Sequence, residues 1–246
     1  MYAERLFGGQ SVPWSSKTPG RIHLMKGKGL RTRSLKKYIK TESEPVRKEA
    51  IMNILDRKKH ALVLFGSPHS HGSTRMLLGS FLEVFRDCKD WLVEEMDLYA
   101  MNPHPCTGCG ACAKKEACQF PDLDGFDKAL RRSDLLIVAA PVYNASFPAP
   151  MKALLDRTQR YFEARFSLGK RPPVKKHREA ALLLSMGREE DFPVEVCAYQ
   201  LERAFSVMNT TLRGCAVWAG TDRGRENLGT AQQKARALAL EILGEM

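Results

Sequence analysis

The sequence predicts an α/β domain built on a doubly wound parallel sheet, with helices on both faces. Beyond His60, strand-like and helix-like segments alternate strictly, five of each, as strands joined by helical crossovers do. Asp134 to Ala140 (DLLIVAA) is apolar on both faces, which is the pattern of a central strand covered from both sides. His60 to Thr74 (HALVLFGSPHSHGST) passes from a buried-strand run through a hydroxyl-rich loop into an amphipathic helix.

Each element follows from its own pattern. Met1 to Lys40 is rich in Gly, Ser, Lys and Arg, lacks a hydrophobic period and carries one acidic residue, Glu4. That composition reads as disordered, so residues 1–51 are expected to be a basic extension and 52–246 the folded domain. An organellar leader has a similar composition, and Met52 is a plausible start of the native chain. Ser43 could cap a short helix reaching about Lys58, with Pro45 in its first turn. Ala61 to Phe65 forms the first strand, and Met76, Leu77, Phe81, Leu82 and Phe85 mark one face of the first helix. Trp91 to Leu98 alternates as an edge-type strand, and a Pro/Cys/Gly-rich loop spans Asn102 to Pro121. Leu123 to Arg132 is a short helix with Leu123, Phe126, Ala129 and Leu130 inward. After the central strand, Pro141 to Pro150 is a loop, and Met151, Leu154, Leu155, Thr158 and Phe162 keep one helical period. A basic insert (Ala164 to Arg178) precedes a fourth strand at Ala180 to Met186. A helix through Val194 to Met208, a fifth strand at Gly214 to Ala219 and a closing helix through Ala231 to Ile242 complete the chain.

Composition narrows the functions. The chain has 246 residues and 43% hydrophobic content, enough for a sizeable core, and no run approaches the ~20 apolar residues of a membrane span. The net charge is +11, but twelve Lys/Arg against four Asp/Glu in Met1 to Ile51 account for eight of those charges. The remaining 195 residues carry the other three, with no aromatics interleaved among basic residues, which argues against nucleic-acid binding. A soluble protein of the cytoplasm is expected, with no membrane partner. Four of the seven cysteines fall within thirteen residues, which suggests metal or redox chemistry rather than a disulfide framework.

Two loops at the expected strand ends bear chemistry. In the first, five residues separate Gly66 from Gly72, one more than in a Walker loop, and Ser73 follows where that loop would have Lys. Ser67, Ser70, Ser73, Thr74 and main-chain amides would offer neutral donors to a phosphate, at a helix N-terminus whose dipole favours an anion. His69 and His71 flank the loop and could add donors or face solvent. The alternative is an ordinary strand–turn–helix capped by Ser73. In the second loop, Pro141, Val142, Tyr143, Asn144, Ala145 and Ser146 combine an aromatic face with exposed peptide groups, which suits a flat heteroaromatic ring. The alternative is a proline-braced connection. A phosphate end and a ring end on neighbouring strands is the layout of a flavin mononucleotide.

The segments GSPHSHGST and APVYNASFPAPMKALLDR resemble the flavodoxin-like NAD(P)H-dependent FMN reductases, including Pro150, Lys152, Asp156 and Arg157, with an additional proline in Phe147 to Pro150. The resemblance covers about His60 to Met246. It implies a flavodoxin-like five-stranded sheet of order 2-1-3-4-5, and FMN held through Ser67, Ser70, Gly72, Ser73 and Thr74 at the phosphate and Pro141 to Ser146 at the ring. Met186 and Gly187 look like a third flavin-side loop. NAD(P)H as co-substrate, a small-molecule or protein electron acceptor, and a homodimer or homotetramer are further implications.

Cys106, Cys109, Cys112 and Cys118 form a C-x2-C-x2-C-x5-C motif that can wrap the corner of a [4Fe–4S] cube and close it with a fourth thiolate. The spacing resembles that of iron–sulfur flavoproteins, a branch of the same fold family, and such a protein could serve as an electron carrier without its own nicotinamide site. Zinc accepts four thiolates too, usually as two separated pairs. A structural cap beside the flavin, or a redox-exchanging thiol pair, also fits. Cys88, Cys197 and Cys215 are expected to be buried thiols, Asp122 and Asp124 to cap the next helix, and Lys170, Arg171, Lys175, Lys176 and Arg178 to be a solvated charge run. The function expected is an FMN-dependent oxidoreductase passing hydride from a nicotinamide to an acceptor, with no acid–base dyad because the cofactor supplies the chemistry.

Overall fold

The computed structural model describes residues 58–86 and 88–246. The expected extension 1–51, and the expected Ser43 helix up to residue 57, lie outside the described residues.

Five strands, β1 (Lys59–Phe65), β2 (Trp91–Asp97), β3 (Leu135–Pro141), β4 (Arg178–Ser185) and β5 (Thr210–Trp218), form one sheet in the order β2-β1-β3-β4-β5. Every neighbouring pair is parallel. Alternation along each strand sends successive side chains to opposite faces and so creates two cores. Leu62, Leu64, Leu136 and Val138 face α3 (Asp124–Arg132), α4 (Ala149–Asp156), α5 (Gln159–Phe166) and α6 (Phe192–Met208). Ala61, Val63, Phe65 and Ile137 face α1 (Ser73–Glu83) and α7 (Leu228–Glu245). A four-residue helix, α2 (Leu98–Met101), follows β2 because the Asp97 carboxylate accepts from the amides of Tyr99 and Ala100.

The helix expected as one piece through Phe162 is two, α4 and α5. At the break the Thr158 hydroxyl donates to the Leu155 carbonyl at 2.7 Å, and Arg157 turns its side chain inward, 4% exposed. Strand β5 begins four residues earlier than expected, with a register shift at Ala180/Ala181 that admits Arg213 on the outer strand. Polar residues on that edge hid its start. Arg178 does not belong to the solvated run: it is 1% exposed, and its guanidinium donates to the carbonyls of Met208 and Lys176 and to Thr210. Lys176 pairs with Asp134 at 2.8 Å, and Lys170 with Glu116. Cys197 is buried, but Cys88 is half-buried and Cys215 exposed on the edge strand. Among the described residues no helix is long and apolar enough to cross a membrane.

Candidate functional site

Strand order brings the chemistry-bearing loops together. Because β1 lies between β2 and β3, and β3 between β1 and β4, the loops leaving β1, β3 and β4 open side by side at the carboxyl edge of the sheet. The Gly66 amide donates to the Ala139 carbonyl at 2.8 Å, and the Val142 amide to the Ser185 carbonyl at 2.9 Å, joining the three strand ends.

In the first loop, Ser67 is buried and its Oγ accepts from the His69 amide at 3.2 Å, which leaves its O–H free to donate. His69, Ser70 and His71 are exposed, while Gly72 and Ser73 are half-buried. Helix α1 starts after Gly72, and no side chain caps it, so Ser73 is not the cap that the ordinary-turn alternative required. The uncapped first-turn amides retain the anion preference of a helix N-terminus. Thr74 is buried, with Oγ1 at 2.6 Å from Ser185 Oγ; one hydroxyl donates to the other, and a single O–H of the pair remains. Arg75 is bidentate to Glu95 at 2.7 Å and lies over Phe65, so its charge is engaged away from the loop.

In the second loop, Tyr143 and Ser146 exchange backbone hydrogen bonds at 2.9 and 3.0 Å around a two-residue turn. Asn144 (φ 49°) and Ala145 (φ 56°) are both left-handed, as a type I′ turn requires. The turn presents Tyr143, 42% exposed, and Gln200 donates to Ser146 Oγ at 3.2 Å. In the third loop, Met186 is buried and its amide donates to the Trp218 carbonyl at 3.0 Å. A Cβ on Gly187 would lie 2.3 Å from Asp222 Oδ2, so only glycine fits beneath that carboxylate in this arrangement.

Beside the crevice, the cysteine loop is clamped from α3, α4 and α5. The Arg157 guanidinium holds both Asp122 oxygens at 2.6 Å and donates to the carbonyls of Phe120 and His104. His104 stacks on Phe120 with centroids 3.8 Å apart, and its amide donates to Asp122 at 2.8 Å. Asp122 therefore braces the loop instead of capping a helix, and Asp124 faces Arg160 at 3.7 Å. Glu116 takes Arg131 at 2.7 Å and Lys170, while its carbonyl accepts from Arg160 at 3.3 Å.

Gly108 and Gly110 turn the loop with positive φ. Cys106, Cys109, Cys112 and Cys118 all border one cavity of about 470 Å³. Cys106 and Cys109 are exposed, and Cys112 and Cys118 half-buried. No three His, Cys, Asp or Glu side chains among the described residues converge on a single-ion position. Burial pushes the Cys112 thiol up, a local backbone hydrogen bond opposes this, and the neighbouring Glu163, Cys118 and Cys106 add to the rise.

Sequence reasoning missed Ser185, Asp222 and Arg160 as part of these sites. Ser185 was findable as the last residue of the fourth strand. The other two reach their places only through the packing of distant segments.

The family model for NADPH-dependent FMN reductases matches residues 60–222, from the first strand through the fifth. An iron–sulfur flavoprotein of Archaeoglobus fulgidus is 30% identical over 183 residues, 73% of this chain and 78% of that protein. One of Methanosarcina thermophila is 34% identical over 94 residues, 38% of this chain and 49% of that protein. The fold is that of an NAD(P)H:quinone oxidoreductase from Methanothermobacter marburgensis, with a TM-score of 0.57 at 22% identity, covering 74% of this chain and 94% of that one. With the sheet order, the crevice loops and the matched span in agreement, the chain belongs to the NADPH-dependent FMN reductase family of flavodoxin-like oxidoreductases, with iron–sulfur flavoproteins among its relatives.

Proposed function

We propose that the crevice holds FMN, its phosphate in the Gly66–Thr74 loop and its ring against Pro141–Ser146 and Met186–Gly187, and that NAD(P)H delivers hydride there for a small-molecule or protein acceptor. The observation that carries this reading is the adjacency of β1 and β3, which sets a hydroxyl-rich loop beside a Tyr-bearing turn. The donors suit a phosphate monoester. They are Ser67, Ser70, Ser73, the Thr74–Ser185 pair and uncapped amides, while Arg75 in the first turn of α1 is engaged by Glu95. When bound, FMN supplies the hydride and electron chemistry. The chain's own residues position it: the turn at Asn144 and Ala145 aims peptide groups and Tyr143 at the ring, and Gly187 admits the Asp222 carboxylate beside the third loop.

The same proposal assigns Cys106, Cys109, Cys112 and Cys118 to a [4Fe–4S] cluster acting as a one-electron relay. Two relatives carry iron–sulfur in their names, and a cavity bordered by all four thiols suits a group larger than one ion. Four clustered free thiols also accord with a reducing, cytoplasmic setting. Assembly as a homodimer or homotetramer would cover Phe192 and Tyr199, which are seven residues apart on α6 and 69% and 62% exposed.

Anaerobic purification, a visible spectrum and iron and sulfide analysis test the proposal. The expected protein is yellow-brown, with about four iron and four sulfide per chain, and its flavin bleaches rapidly on adding NADPH or NADH. A colourless protein would refute the FMN assignment. Flavin that stays oxidised with both nucleotides would remove the hydride step and leave an electron carrier.

A further inference from the structure

The cavity beside the cysteine loop has a second wall that the thiol motif does not explain. Asp156, Arg157, Gln159, Arg160 and Glu163, from α4, α5 and the turn between them, face the four cysteines across it. Of the acidic members, Asp156 takes Lys152 at 2.5 Å, while Glu163 accepts from the neutral Gln159 and Ser167 and keeps its charge near Cys112. The cations are not fully engaged. Arg157 and Arg160 are 4% and 8% exposed, and the Nε of each has no hydrogen-bond partner among the described residues. Each Nε is itself sealed off from the cavity, so what these two side chains offer it is positive charge.

The two arginines differ in compensation. Arg157 is neutralised at 2.6 Å by Asp122. Arg160 has only Asp124 at 3.7 Å and Asp127 at 3.6 Å, and Asp127 also holds Arg131 and Tyr161. Arg160 is therefore the buried cation with charge in reserve, on the wall opposite the thiols.

We propose that Arg160 tunes the cluster held by the four cysteines: its buried charge favours the reduced state. The inference depends on the cluster reading above. A cube of four irons and four sulfides bound by four thiolates is a dianion that becomes a trianion on accepting one electron from a one-electron donor, with no proton taken up. A fixed cation close by stabilises the more negative form and raises the potential, as net charge does in such centres.

The test starts with iron and sulfide analysis of the wild-type holoprotein purified anaerobically. Absence of both ends the cluster reading and this inference with it. With the cluster present, EPR-monitored dithionite titrations are compared for wild type, Arg160→Gln and Arg160→Lys. Arg160→Gln is expected to keep its iron and to show a reduced-to-oxidised ratio about tenfold lower at fixed potential, a shift of about 59 mV to the negative. Arg160→Lys, which restores the charge, is expected to recover at least half of it. An unchanged potential in iron-replete Arg160→Gln overturns the inference and leaves the cluster reading standing. Should the variants fail to hold iron, wild type labelled with 15N-arginine is read by pulsed EPR in the reduced state. A guanidinium nitrogen coupled to the cluster is expected there, and its absence overturns the inference.

Discussion

Ala145 is where a local rule is broken. Asn144 tolerates its left-handed backbone, since Asn commonly occupies that region, whereas Ala at φ 56° brings Cβ against the following carbonyl at a cost of about 1–2 kcal/mol. The neighbouring Tyr143–Ser146 hydrogen bonds and buried Phe147 hold the turn in place. Ala145→Gly removes the clash and loosens the unfolded chain somewhat. The net expectation is a gain of about 0.5–1 kcal/mol, read from urea unfolding. A variant less stable than wild type would show that no strain is stored there. The motif APVYNASFP announces a loop with aromatic and peptide groups, but not that two successive residues turn left-handed, because that depends on strand ends meeting.

At the scale of elements, Arg131 of α3 and Arg160 of α5 hold the cysteine loop at Glu116, and both are tied to Asp127, which Tyr161 also joins. Tyr161 donates to Asp127 at 2.8 Å, and Arg131 Nε to both carboxylate oxygens at 3.1 Å. Burial pushes the Asp127 carboxyl up, but Arg131, Arg160 and Tyr161 outweigh it and hold the group below the ordinary carboxylate value. A depressed value means that the stabilisation is complete above the unfolded pKa, about 3.9, and is lost as pH falls through the folded one. Asp127→Asn is therefore expected to be less stable than wild type by roughly 1–3 kcal/mol at neutral pH. The deficit should persist down to about pH 4 and close below it, as urea midpoints across pH will show. A deficit that stays constant with pH would mean that the carboxylate charge contributes nothing. None of this network was legible in the sequence, because only the Asp127–Arg131 pair lies within one helix and its other partners come from a distant segment.

For the whole molecule, the controlling feature is one sheet shared by two cores. Leu77 of α1 and Leu201 of α6 are both fully buried, on opposite faces of that sheet. Each changed to Ala is expected to cost about 2–5 kcal/mol. Because strands β1 and β3 serve both cores, each variant should still unfold in one transition, seen alike by circular dichroism and by tryptophan fluorescence. Two separated transitions in either variant would show that the faces unfold independently.

Periodicity and turn chemistry, acting over a few residues, made the strands, the main helices and the existence of three chemically unusual loops readable from the chain alone. The family resemblance supplied the order 2-1-3-4-5, and the cysteine spacing was a local property of one loop. Long-range packing decided the rest: the Thr74–Ser185 contact across 111 residues, the carboxylate of Asp222 above Gly187, the inward turn of Arg157 that splits a helix, and Arg160 on the wall facing the thiols. The physical reason is that a side chain's neighbours across the sheet and its access to water depend on segments remote in sequence, and no short window contains them.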